Sequence, residues 1–311
     1  MTGEVGADIR KPGIGVVWIE KYAIFRQNLD GVTTSLDHMM LAEVLPSFAD
    51  DRYYVEGFRD GETEPFVVFR SGGRLSYVNE WLIDRKVCSH DSAAELDTRY
   101  PNVTYRFRVQ DAKGVNELSL AFGGANRNTS YPNVPIVALE QHGKKVMALD
   151  SSVDARITWT AFSTVGDPRK ESPLFSENLI FLLVDNCRGE TVFSSGSGNK
   201  GEPLKPTSTS YSIPAHRLEP GLRYTVFVSF INCRSTDTAV TANGTMAGVA
   251  VNSIAVEFEF ETTGVARNSR SCPPSEVRAN YRWPGKVYAP RGLTDWPVDS
   301  SGLLLDLTRR P

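Results

Sequence analysis

Ile254, Val256, Phe258 and Phe260 alternate with Glu257, Glu259 and Glu261. Successive side chains of a strand point to opposite faces, so a period of two places one apolar face on a core and one charged face in water. The same alternation recurs through the second half of the chain. Ile157, Trp159 and Ala161 alternate with Thr158 and Thr160, and Tyr211 and Ile213 with Ser210 and Ser212. Tyr224, Val226, Val228 and Phe230 alternate with Arg223, Thr225 and Ser229. Leu179 to Val184 is apolar without alternation, which calls for cover on both faces. Strands of this kind separated by turn signals predict a β-sandwich.

The first half reads as strands with short helical interruptions. Val16 to Phe25 is β-rich, and Tyr105, Phe107 and Val109 alternate with Arg106 and Arg108. Tyr53 to Phe58 and Phe66 to Phe69 flank the turn Asp60-Gly61, and Asp111 to Gly114 turns the chain into Leu118 to Phe122. In Ser35 to Leu45, Leu36, Met39, Met40 and Val44 fall at helical spacing ahead of Pro46, which predicts a short helix. Ser92-Ala93-Ala94-Glu95 is a capping-box pattern and predicts one or two helical turns before Pro101.

At roughly 100–200 residues per domain, 311 residues suggest two domains. Gly123 to Pro135, rich in Gly, Asn and Pro, is the natural boundary. The expected organisation is a loose N-terminus (1–13), an N-terminal β-sandwich with one or two short helices (14–132), a second sandwich (133–264) and an extended tail (265–311). The tail holds Pro273, Pro274, Pro284, Pro290 and Pro297, which keep it out of central strands. It also holds Trp283, Tyr288 and Trp296, which argue for docking rather than full disorder. The class is therefore all-β: two β-sandwich domains with an extended C-terminal tail.

A net charge of −3 and a pI of about 5.9 give no basic patch for nucleic acid. No stretch approaches the roughly 20 apolar residues of a membrane-spanning helix. Met1 to Gly6 lacks a basic segment followed by an apolar one, so no signal peptide is expected. Cys88, Cys187, Cys233 and Cys272 allow three disulfide connectivities, and spacing does not choose among them. Sequons occur at Asn102, Asn128 and Asn243, but a chain this rich in Asn, Ser and Thr gives about two by chance.

Ser208 to Ala215, followed by Leu218-Glu219-Pro220-Gly221-Leu222-Arg223-Tyr224-Thr225-Val226-Phe227-Val228, resembles the E and F strands of fibronectin type III domains, where a Leu-x-Pro-Gly turn precedes a core Tyr. The resemblance spans roughly Pro135 to Thr263. It implies that Tyr224 is a tyrosine corner, its hydroxyl bonding back to the turn, and that Trp159 is the core tryptophan of strand B. It also implies that Cys187 and Cys233 end adjacent antiparallel strands, C and F, at opposite ends of the sheet, so that no Cys187–Cys233 bridge is expected. Glu95 to Tyr105 followed by this module looks like uncharacterised secreted bacterial β-sandwich proteins. That likeness implies a secreted or surface location and extracellular binding or scaffolding, with no catalytic residues to carry over.

Motifs that suggest chemistry have simpler readings. Gly196-Ser197-Gly198-Asn199-Lys200-Gly201 fits a dinucleotide fingerprint, but Pro203 and Pro206 follow where a helix would have to open. Cys88-Ser89-His90-Asp91 gathers metal-ligating types without the second pair a zinc site needs. No G-x-S-x-G occurs, and the four histidines lie in separate segments. No catalytic, metal or cofactor site is therefore predicted. Trp18 and Trp159 are expected in the core, whereas Trp81, Trp283, Tyr288 and Trp296 are the candidate binding or anchor residues. The leading functional reading is a non-catalytic structural or interaction protein that meets a protein partner or itself. A carbohydrate-binding module using exposed aromatics, and then a hydrolase of unknown type, are the alternatives.

Overall fold

The computed structural model describes residues 14–45, 54–70, 92–111, 114–123, 131–163, 178–188, 190–195, 204–241, 244–265 and 272. Within them a seven-stranded sheet runs β12 (Thr191–Ser194), β11 (Leu179–Asn186), β14 (Arg223–Thr241), β15 (Gly244–Thr262), β1 (Ile14–Gln27) and β2 (Thr33–Leu45), with β9 (Ala148–Leu149) pairing onto β15. Two four-stranded sheets cover it. The first is β4 (Val67–Arg70), β3 (Tyr54–Arg59), β5 (Thr104–Asp111) and β6 (Gly114–Ala121). The second is β13 (Ser210–Ile213), β10 (Ala155–Trp159), β7 (Val137–Gln141) and β8 (Lys144–Val146). One helix, α1 (Ala93–Arg99), is capped by Ser92, whose hydroxyl accepts the Glu95 N–H as the capping box requires.

The protein is all-β, with two sandwiches that share the long sheet. β14 and β15 are 19 residues each, about three times a usual strand. Their lower halves, with β11 and β12, face the second cover sheet across a core of Leu139, Ile157, Trp159, Ile180, Leu182, Val226, Val228 and Phe258. This sandwich has the fibronectin type III arrangement, with β13, β10 and β7 in one layer and β12, β11, β14 and β15 in the other. The upper halves, with β1 and β2, face the first cover sheet across Val17, Ile19, Met40, Tyr105, Phe107, Leu118 and Leu120. Side-chain parity puts both covers on one face. Lys21 reaches the first, Gln27 reaches Val137 of the second, and the two lie six residues apart on one strand. A Cβ on Gly248 would stand 2.9 Å from Leu120, so glycine there lets the first cover sheet approach closely.

A bulge in β14 between Cys233 and Ser235 marks where one sandwich gives way to the other. The bulge turns polar side chains toward the free edge of β6. Arg234 Nε donates to the Phe122 carbonyl at 2.9 Å, Ser235 Oγ accepts from Ala121 N at 2.6 Å, and Asp237 Oδ2 accepts from Ser119 N at 2.7 Å. Three side chains thus satisfy an edge that no strand pairs.

One sequence expectation fails. Ser35 to Leu45 is not a helix but part of β2, paired with β1. Among its described side chains, His38, Met40, Ala42 and Val44 are the buried ones, and their spacing of two was hidden because neither His38 nor Ala42 reads as strongly apolar. Leu36 sits at an irregularity in the pairing, between Asp37 and Ser35, and is exposed, which mimicked helical spacing. The unalternating strand behaves as expected, since every residue of β11 is buried.

Candidate functional site

Two charged residues stand in the middle of β1, flanked by Val16, Val17, Trp18 and Ile19 on one side and Tyr22 and Ala23 on the other. Glu20 and Lys21 are both 0% exposed. As neighbours on a strand they point to opposite faces. An unpaired charge in such a place costs several kcal/mol, so each needs partners.

Lys21 has three. Its Nζ lies 2.5 Å from Asp97 Oδ1, donates to Asn102 Oδ1 at 2.6 Å, and sits 5.2 Å from the centre of the Phe122 ring. Asp97 projects from α1, the cap of which fixes the helix start. Asn102 belongs to the turn between α1 and β5. That turn is held by the Tyr105 hydroxyl, which donates to the Pro101 carbonyl at 2.8 Å, and by Tyr100 N–H on Leu96 O at 2.7 Å. Burial drives the Lys21 pKa down, and the hydrogen bond and charge of Asp97 work against that shift. Beside Lys21 in the sheet stand Asn252 and then Asn232, paired across β15 and β14 and fully buried, so a polar row crosses three strands between the two apolar cores.

On the reverse face, Glu20 Oε2 accepts from Trp18 Nε1 at 3.1 Å. Burial pushes the Glu20 carboxyl up to about 7, with Ser253 and Trp18 offsetting part of the effect. Burial also raises the Tyr131 hydroxyl, with Asp97 and Glu20 adding to the shift.

The second sandwich has its own fastening at the opposite end. The Tyr224 hydroxyl accepts from Glu219 N at 2.7 Å and donates to Glu219 O at 3.2 Å, which is the tyrosine corner. Gly221, at φ 70°, makes the turn that the corner closes. Thr262 Oγ1 donates to the same carbonyl at 2.7 Å. Trp159 is in the core and donates through Nε1 to Ser208 O at 2.8 Å. At this end Cys187 is disulfide-bonded to Cys272, 85 residues on. Cys187 does not pair with Cys233. β11 runs antiparallel to β14, with Asn186 opposite Tyr224 and Leu179 opposite Ile231, so the two cysteines stand at opposite ends of the strand pair.

Of the residues proposed from sequence, Trp81, Trp283, Tyr288 and Trp296 lie outside the described residues, as do Cys88 to Asp91 and Gly196 to Gly201. Trp18 is in the core as expected. Lys21 and Asp97 were not singled out, and Asn102 was noted only as a sequon. The signal was present as two adjacent charges inside an apolar β-rich run, but their partners lie 76 and 81 residues away.

No protein-family model and no curated protein matches the chain. Among solved structures, the chain is similar to the chicken CNTN1 FN1–FN3 domains at 11% identity and a TM-score of 0.25, covering 79% of this chain and 63% of that one. It is similar to the BSP domain of a biofilm-associated protein at 12% identity and a TM-score of 0.18, covering 79% and 30%. It is also similar to a Dscam structure at 10% identity and a TM-score of 0.16, covering 78% and 44%. The chain thus spans less than two thirds of each of these chains, and its fold assignment rests on its own strand order.

Proposed function

We propose that the protein is a non-catalytic interaction module: a stiff pair of sandwiches that presents its surfaces and a docking C-terminal tail to a protein partner or to a second copy. The observation that carries this reading is the Cys187–Cys272 bond, which ties the start of the tail to the end of β11. A covalent tether at residue 272 brings Trp283, Tyr288 and Trp296 within reach of the sandwich and shortens the chain that docking has to order. A disulfide also supports an oxidising compartment, in keeping with a secreted or surface location. The proposed organisation keeps 14–132 and 133–264 as two units, braced by the strands they share, with 265–311 as the docking segment.

Truncation after Pro274, which leaves the Cys187–Cys272 bond in place, tests the reading. A tail that docks on its own chain gives a less stable monomer once removed. A tail that docks on a second copy gives a folded monomer in place of an oligomer. Unaltered stability together with unaltered mass in solution overturns the proposal.

A further inference from the structure

Lys21, Asp97 and Asn102 place a primary amine, a carboxyl and a carboxamide together in the first sandwich, each on a different rigid element. Lys21 is in the middle of β1, Asp97 on α1, and Asn102 on the turn pinned by Tyr105. The amine is within 2.6 Å of the carboxamide oxygen. A C=O bond is about 1.2 Å long, so the carboxamide carbon is at most about 3.8 Å from Nζ, close to the separation at which bound groups react. The Lys21 side chain is wholly shielded from solvent, and the Phe122 ring closes the site beside it.

We propose that Lys21 and Asn102 join in an intramolecular amide bond, with Asp97 as the acid–base group, so that β1 of the long sheet is covalently linked to the turn leading into the first cover sheet. Asp97 takes one proton from the Lys21 ammonium, and burial favours the neutral amine that remains. The Nζ lone pair forms a bond to the Asn102 carboxamide carbon. The bond from that carbon to Nδ2 then breaks, and the nitrogen departs with its electron pair. A further Nζ proton passes through the Asp97 carboxyl to the departing nitrogen, which leaves as ammonia. One amine and one carboxamide become one secondary amide and one ammonia, so no oxidant, reductant or cofactor takes part. Asp97 is a catalytic residue in this step because it touches the nucleophile.

The link closes a loop of similar size to that of the disulfide. Lys21 and Asn102 are 81 residues apart, and Cys187 and Cys272 are 85 apart. The first sandwich would then carry an amide staple between its layers, and the second sandwich a disulfide to its tail. The inference stands on the geometry of the site and does not depend on where the tail docks.

The intact mass of the purified full chain, measured after reduction, decides the matter. The expected mass is the sequence mass less one ammonia, and a digest yields one branched peptide joining the Lys21 and Asn102 segments, with no tryptic cut after Lys21. Lys21→Arg and Asn102→Ala are expected at their full sequence masses. Asp97→Asn is expected to keep the unreacted mass while retaining a folded far-ultraviolet spectrum. A folded wild-type chain at full sequence mass overturns the proposal, and so does loss of one water, which marks a Lys21–Asp97 amide instead. An Asp97→Asn chain that still loses ammonia overturns the role given to Asp97. The wild-type mass is decisive even if a variant fails to fold.

Discussion

The two sandwiches are fastened in opposite ways. The second is pinned at its rim by a neutral motif whose centre spans a few residues of chain, Tyr224 to Glu219, joined on the same carbonyl by Thr262 from 43 residues away. The first is pinned by charged groups far apart in sequence: Lys21 to Asp97 and Arg234 to the Phe122 carbonyl in its interior, and Asp237 to Ser119 N at its exposed edge. Local motifs of neutral groups are cheap to form and cost little when lost. Buried ionic fastenings hold distant elements in one register, and each becomes a liability once a partner is removed. The first sandwich should therefore be the more easily broken by single polar substitutions, although both halves have buried apolar cores.

Asp97→Ala is the severest test of that contrast. It leaves the Lys21 ammonium buried without its counter-charge, and removal of one partner from a buried pair costs about 3–5 kcal/mol. Denaturant unfolding should show this loss, and Lys21→Met on the same background should restore the part that comes from the buried unpaired charge, not the part that comes from the missing amide link. If Asp97→Ala costs no more than a surface substitution, the pair is not a fastening.

The disulfide comes next. Chain entropy for a loop of 85 residues gives a stabilisation of up to about 4.6 kcal/mol, with about 2–4 kcal/mol typical. Cys187→Ser with Cys272→Ser should lower stability by that order, and reduction of the native protein should do the same. A loss seen in the full chain and absent in a chain truncated after Pro274, which keeps both cysteines, would show that the bond acts through the tail.

The legibility of the two halves follows the same division. Tyr224, Trp159 and the Leu218 to Tyr224 turn were readable because a tyrosine corner is set by residues five apart and strand alternation by residues two apart. The parallel pairing of β1 with β15, some 230 residues away, leaves no local trace, and neither does the pairing of Lys21 with Asp97. The length of β14 and β15 was partly written in Asn243-Gly244, a hairpin signal that sits between strands closing at Thr241 and Gly244. β2 was misread because its buried row includes His38 and Ala42. Cys272 offered no hint of its partner, since spacing alone cannot pair cysteines.

Glu20 provides a smaller, pH-dependent test within the first sandwich. Its carboxyl titrates near 7 when folded, against an ordinary value of 4.5. The folded state therefore holds a proton that the unfolded chain releases. That contribution is fully present below about pH 4.5 and is lost as pH rises through about 7. Relative to Glu20→Gln, the wild type should lose up to about 3 kcal/mol across this window. Chemical unfolding of both proteins at pH 5 and pH 8 measures the difference, and parallel pH profiles would show that Glu20 is not held neutral.

The smallest effect should come from Tyr224→Phe in the second sandwich. The substitution keeps the ring, which stacks on Phe260 with centroids 5.5 Å apart, and removes only the hydroxyl. Glu219 O retains the Thr262 hydroxyl as a donor, so the carbonyl is not orphaned. Glu219 N loses its acceptor, and one unsatisfied group of this kind costs about 1–2 kcal/mol. Thr262→Val leaves Glu219 O with the Tyr224 hydroxyl but strips the buried Leu222 N–H of its acceptor, so it should cost a similar amount alone. Together the two substitutions strip Glu219 O of both donors, so the double variant should lose more than the sum of the singles. Additive losses would mean that the two hydroxyls do not share the carbonyl. A Tyr224→Phe loss as large as that of Asp97→Ala would overturn the distinction between a local rim fastening and a buried long-range one.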